Sequence, residues 1–123
     1  MKEDFKSRED VNLMVKTFYE SVFEDVMLAP IFITSLGDDL EPHYSRMTDF
    51  WEDQVLGSFK FEGNPMKVHM ELSQHFKMDN DLFDVWLNLF TSTVDNLFEG
   101  ENADKAKQQA INIATVIRLK MKS

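Results

Sequence analysis

Val11, Met14, Val15, Phe18, Tyr19, Val22, Phe23 and Val26 recur at intervals of three and four, a spacing that gathers them on one face of an α-helix and would scatter them over both faces of a strand. A helix carrying such a stripe must bury it against other elements, and the same period returns further along the chain. Ser7, with Asp10 three residues later, makes a start resembling a capping box. The stretch from Leu28 to Gly37 contains Pro30 and runs into Asp38 and Asp39, so a turn-rich corner is expected there rather than a helix. A second helix is expected from Pro42, a residue suited to a first turn, with His43, Met47, Phe50, Trp51 and Val55 on its apolar stripe and Gly57 as its stop.

Gly63 and Asn64-Pro65 mark a further turn, followed by a short helical piece with Met66, His69 and Met70 on one side. From Asp79 the period is strong again, through Leu82, Phe83, Trp86, Leu89, Phe90, Val94 and Leu97, until Gly100 interrupts it. Asn102 is expected to start a last helix whose buried line is Ala106, Ala110, Ile113, Ala114, Ile117 and Met121, the small alanines allowing close approach to a neighbour. No repeat, low-complexity run or linker breaks the pattern. A length of 123 residues suits one core, so a single all-α domain over residues 1–123 is expected.

Eleven Phe and eight Met in a chain of this size leave unusual aromatic surface to cover, and a flat apolar ligand would cover it. The absence of Cys excludes disulfides and thiolate metal sites. A formal net charge of -9 argues against binding nucleic acid or an anionic membrane surface. The tail cations Arg118, Lys120 and Lys122 are better explained as complements to the negative end of a helix. No apolar run reaches the ~20 residues of a membrane span, and the acidic start lacks the pattern of an export signal. A cytoplasmic monomer is expected.

His43 and His69 both fall on apolar faces flanked by aromatic residues. A zinc site is a poor match, because three and four positions after His43 stand Arg46 and Met47 rather than ligands. Paired Glu-x-x-His motifs of a di-iron bundle are also missing. Haem asks less of a sequence: one neutral imidazole, an apolar slot and a few polar groups. Periodicity does not choose between the two histidines. A cofactor-free acidic helical interaction domain accounts for the periodicity equally well.

The segments Phe18-Tyr19-Glu20, Pro30-Ile31-Phe32, Phe50-Trp51, Asn64-Pro65-Met66-Lys67-Val68-His69 and Val85-Trp86-Leu87 occur in an order and spacing that resembles the third subgroup of truncated, two-over-two haemoglobins. The glycine pairs of the other two subgroups are absent. The resemblance implies a two-over-two helical sandwich around haem b, with His69 as the proximal iron ligand. It implies that Tyr19, His43 and Trp86 face the bound gas on the distal side, and that Phe32 packs on the porphyrin. Met47 stands where relatives often carry an aliphatic residue. Arg46 and Lys67 are candidates to pair with the propionates, and Phe50 and Met66 complete the expected cofactor contacts, although Phe50 taken alone is ordinary packing.

Under this resemblance the ligands are O2, NO, CO or peroxide at a five-coordinate ferrous iron. Hydrogen bonds from Tyr19, Trp86 and His43 to O2 that has drawn electron density from the iron would retain it far more firmly than uncharged CO. Such retention suits NO and O2 redox chemistry or detoxification, of NO dioxygenase-like or peroxidase-like character, better than bulk transport. With no reductase domain attached, turnover would draw on an external electron donor.

Overall fold

The computed structural model describes residues 2–36, 40–61 and 80–122; the short helical piece expected around Met66 and Met70, and with it Lys67 and His69, falls outside them. Among the described residues the secondary structure is helical: α1 (Arg8–Glu24), α2 (Ala29–Leu36), α3 (Glu41–Leu56), α4 (Asn80–Leu97) and α5 (Glu101–Lys122). Helices α1 and α3 form one packed pair and α4 and α5 another; the pairs meet through α1 against α4 and α3 against α5, while α2 leans on α1. No helix among the described residues is long and apolar enough to cross a membrane.

The α1 stripe is buried as its period requires, from Val11 through Met14, Val15, Phe18 and Tyr19 to Val22. Its last expected member is not, since Val26 is 89% exposed. The helix stops at Glu24 because Asp25 turns to an extended conformation and its carboxylate accepts the backbone N–H groups of Met27 and Leu28, at 2.8 and 3.0 Å. The corner that follows is then helical after all. Pro30 occupies the first turn of α2, where a missing N–H breaks no helical hydrogen bond.

Ser7 stands at the N-cap of α1 without a side-chain cap bond, while Asp10 reaches back to accept the Lys6 N–H at 2.9 Å. The last helix begins at Glu101, one residue before the expected start, and its cap comes from the other end of the chain. The Asp4 carboxylate accepts the N–H groups of Asn102 and Ala103, at 2.8 and 2.9 Å, satisfying two donors that a helix start leaves without partners. Gly100, at a φ of 145°, makes room for it. Phe5 then stacks on Phe98 at 4.1 Å, closing the α4–α5 corner.

On α3 the buried seam is Thr48, Trp51, Glu52 and Val55. This seam lies one residue round from the expected stripe, and His43, Met47 and Phe50 form a half-buried flank beside it. Polar residues can occupy the seam because each is bonded. The Thr48 hydroxyl accepts from Asn12 at 3.0 Å and donates to the Tyr44 carbonyl at 2.7 Å. Glu52 accepts from Arg8 at 2.9 Å and from Lys60 at 3.0 Å. Across the core Trp51 stacks on the fully buried Phe90 at 4.5 Å. Burial of a ring such as Phe90 contributes about 1.5–3 kcal/mol. Ala103, Ala106, Ala110 and Ala114 let α5 close on this layer, with Ile117 buried and Ile113 half-buried along the same line.

Candidate functional site

Tyr19 stands near the C-terminal end of the buried stripe of α1, and the last turns of α1, the start of α2 and the start of α3 converge there. Its ring meets the His43 imidazole edge to face, with centroids 4.8 Å apart and planes at 79°. Phe32 of α2 meets the same phenol edge to face at 5.8 Å. Tyr44 also touches it, with centroids 5.7 Å apart and planes tilted by 40°. Three candidate residues from three helices are thus in direct contact.

Trp86 joins the group through one intervening ring. Phe18 touches Tyr19 at 5.1 Å and Trp86 edge-on at 5.9 Å, and Trp86 lies nearly parallel to Phe90 at 5.8 Å. The indole is half-buried and belongs to the boundary between the main core and the smaller cluster of Phe83, Ala114 and Ile117. Met47, one turn after His43, is half-buried against the main core. Phe50, about two turns beyond His43, meets Trp51 at 5.1 Å and Phe61 at 5.3 Å. It lines an apolar groove with Gln54, Gln109, Ile113 and Val116 between α3 and α5.

Burial, with a smaller contribution from Tyr44, pushes the Tyr19 hydroxyl well above the usual phenol range. Tyr19 therefore keeps its proton at any physiological pH and can act as a hydrogen-bond donor. Burial also lowers the His43 imidazole from 6.5 to about 4, helped by the nearby positive charge of Arg46. His43 is accordingly neutral near pH 7, with one ring nitrogen able to donate and the other able to accept. Its Nε2 is buried and has no hydrogen-bond partner among the described residues. A buried polar atom left in this condition costs about 1–3 kcal/mol, so the arrangement suits a ligand that brings a partner. Arg46 itself is exposed.

Two members of the site were not anticipated from sequence. Phe18 was placed with the core, but it is also the ring that connects Tyr19 to Trp86. Tyr44 falls beside His43 and off the apolar stripe. The signal that would have found it is its spacing from Thr48, Trp51 and Val55, at intervals of four, three and four, which is the true buried seam of α3.

No protein-family model matches the chain. A group 3 truncated haemoglobin of Campylobacter jejuni is 28% identical over 118 residues, spanning 94% of this chain and 91% of the relative. The crystal structure of a group III truncated haemoglobin from Campylobacter jejuni superposes with a TM-score of 0.87 at 27% identity, covering 98% of this chain and 95% of that one. The resemblance noted in the sequence thus extends to nearly the whole fold.

Proposed function

We propose, on the premise that this chain has the all-helical fold of a group 3 truncated haemoglobin and resembles one over 94% of its length, that it binds haem and, through it, a small gas ligand such as O2, NO or CO. The observation that carries the reading is the contact of Tyr19, His43 and Phe32, which leaves a neutral imidazole inside an aromatic wall with a buried nitrogen that has no partner among the described residues. The half-buried edges of Phe32, Met47, Phe50 and Trp86 add apolar surface that a flat macrocycle would cover.

The group is taken to be haem b, as the resemblance implies, and the lack of Cys excludes a haem attached through thioether bonds. His69 would hold it through its imidazole, a role resting on the resemblance of its motif. Phe32, Met47, Phe50 and Met66 would line the slot, with Arg46 and Lys67 as cations for the propionates. When bound, the haem supplies a ferrous iron that can take a diatomic gas or peroxide and pass electron density to it.

What the polypeptide contributes is a set of donors. Tyr19 offers a hydroxyl that stays protonated, Trp86 an indole N–H, and His43 one ring N–H in its neutral form. Each bond to a ligand carrying negative charge contributes about 1.5–3 kcal/mol, so two slow the departure of O2 by roughly 10²- to 10⁴-fold while leaving CO less affected. A site that retains O2 in this way serves NO and O2 redox chemistry or detoxification, with electrons from an outside reductant, better than bulk delivery. Titration of the purified protein with haem is the direct test. Stoichiometric uptake with an intense Soret band is the expected result, and its absence in wild type rejects the reading. A His69→Ala variant that retained the wild-type ferrous spectrum would assign the holding of the iron to another residue.

A further inference from the structure

The chain contains two tyrosines, and they are ring neighbours. Tyr19 is buried at the site, whereas Tyr44, one position after His43, is half-buried and reaches solvent. Their centroids lie 5.7 Å apart with planes at 40°, close enough for direct ring contact. We propose that Tyr44 is the exit through which oxidising equivalents arriving at Tyr19 leave the protein towards a small one-electron donor in solution.

The setting of the two phenols gives the transfer a direction. Tyr19 is enclosed by Phe18, Phe23, Phe32 and His43, none of which offers a charge to favour an oxidised ring. Tyr44 feels the carboxylates of Glu20 and Glu41. Negative charge nearby makes an electron easier to withdraw, and contact with water gives the phenolic proton somewhere to go. Without Cys, the rival sinks for an oxidising equivalent are the two tryptophans and the methionines. Trp51 is buried and stacked on Phe90, farther from the surface than Tyr44.

In the transfer itself, Tyr44 gives one electron to an oxidised Tyr19 phenoxyl and releases one proton to water, and Tyr19 regains one electron and, by way of solvent, one proton, replacing the proton it gave up to the peroxide oxygen when it was oxidised. An ascorbate- or phenol-class donor then restores Tyr44 with one electron and one proton. The oxidant is a hydroperoxide, which takes up two electrons and two protons as its O–O bond breaks, so two passages through the pair complete one turnover. The inference rests on the haem reading above.

The experiment treats haem-loaded wild type, Tyr19→Phe and Tyr44→Phe with one equivalent of hydrogen peroxide in the presence of a nitroso spin trap, and locates trapped adducts by tandem mass spectrometry. Both substitutions retain the ring and its packing. The wild type should carry its adduct chiefly on Tyr44. Tyr19→Phe should show a severalfold fall in that adduct, and Tyr44→Phe should shift oxidation to Tyr19 and bleach haem faster. An adduct on Tyr44 undiminished in Tyr19→Phe, or one chiefly on Trp51 or Trp86 in wild type, overturns the relay while haem binding stands. Failure to take up haem at all, seen in the absorbance of the same samples, overturns both.

Discussion

The Tyr19 ring meets His43 edge to face at 4.8 Å, bringing a buried phenol and a neutral imidazole from α1 and α3 to the same spot. Each is kept uncharged by burial, so the pair presents donors and an acceptor without a net charge to repel an arriving gas. Tyr19→Phe retains the ring contacts and removes the hydroxyl. Loss of one charge-assisted bond of about 1.5–3 kcal/mol should speed O2 release roughly tenfold to a hundredfold, with CO release changed much less. Stopped-flow displacement of O2 from the ferrous haem-loaded protein measures both.

The same burial gives the fold an acid sensitivity. An unfolded chain takes up a proton on His43 near pH 6.5, whereas the folded one resists until about pH 4. The unfolded state therefore binds more protons between those limits, and stability should fall as pH drops through that window. Urea midpoints at pH 7 and pH 5 should differ by less in His43→Phe than in wild type; equal differences would remove His43 as the cause.

Asp4 titrates with the same sign at lower pH. Partial burial, its largest single influence, raises its carboxyl, but the N–H groups of Asn102, Phe5 and Ala103 together outweigh it and leave it below 3.8. The cap is fully present above that value and is lost as pH falls through the lowered one. Asp4→Ala should cost about 0.5–2 kcal/mol at pH 7, the usual range for losing an N-cap. Gly100→Ala should cost as much or more, because a Cβ there would lie 2.6 Å from Asp4 Cγ at a φ of 145°. Urea unfolding of the two variants and of the double variant should show strong non-additivity, since both disturb one contact.

Glu52 is held between two cations of unequal exposure. Its side chain is 9% exposed, while those of Arg8 and Lys60 are 37% and 50% exposed. Removing one cation leaves the carboxylate the other, so Arg8→Ala and Lys60→Ala should each cost no more than about 1 kcal/mol. Removing both strands a buried charge, and the double variant should lose distinctly more than the two singles together. An additive cycle measured by chemical denaturation would show that Glu52 is hydrated in solution.

Helices α1, α3, α4 and α5 were legible because their apolar residues keep a helical period over several turns, whereas the pairing of α1 with α3 and of α4 with α5 emerges only in the packed structure. Helix α2 was hidden by Pro30, whose effect depends on whether it falls in a first turn or an interior one, and Asp25 decides that through side-chain bonds. The α3 seam was shifted because Thr48 and Glu52 are buried by virtue of partners on α1 and at Lys60, which no local pattern reveals. At the site, the resemblance singled out Tyr19, Phe32 and His43, and the fold brings these three together. It did not single out Tyr44, whose spacing from Thr48, Trp51 and Val55 becomes telling only once Thr48 is known to be buried.

The carboxylate of Asp4 ties the beginning of the polypeptide to a helix that starts 97 positions later. A tag fused close to that aspartate, or a deletion reaching it, would therefore register at the opposite end of the chain as fraying of Glu101–Lys122. Protein engineering on this scaffold should treat its first few residues as part of the closing helix and attach labels elsewhere.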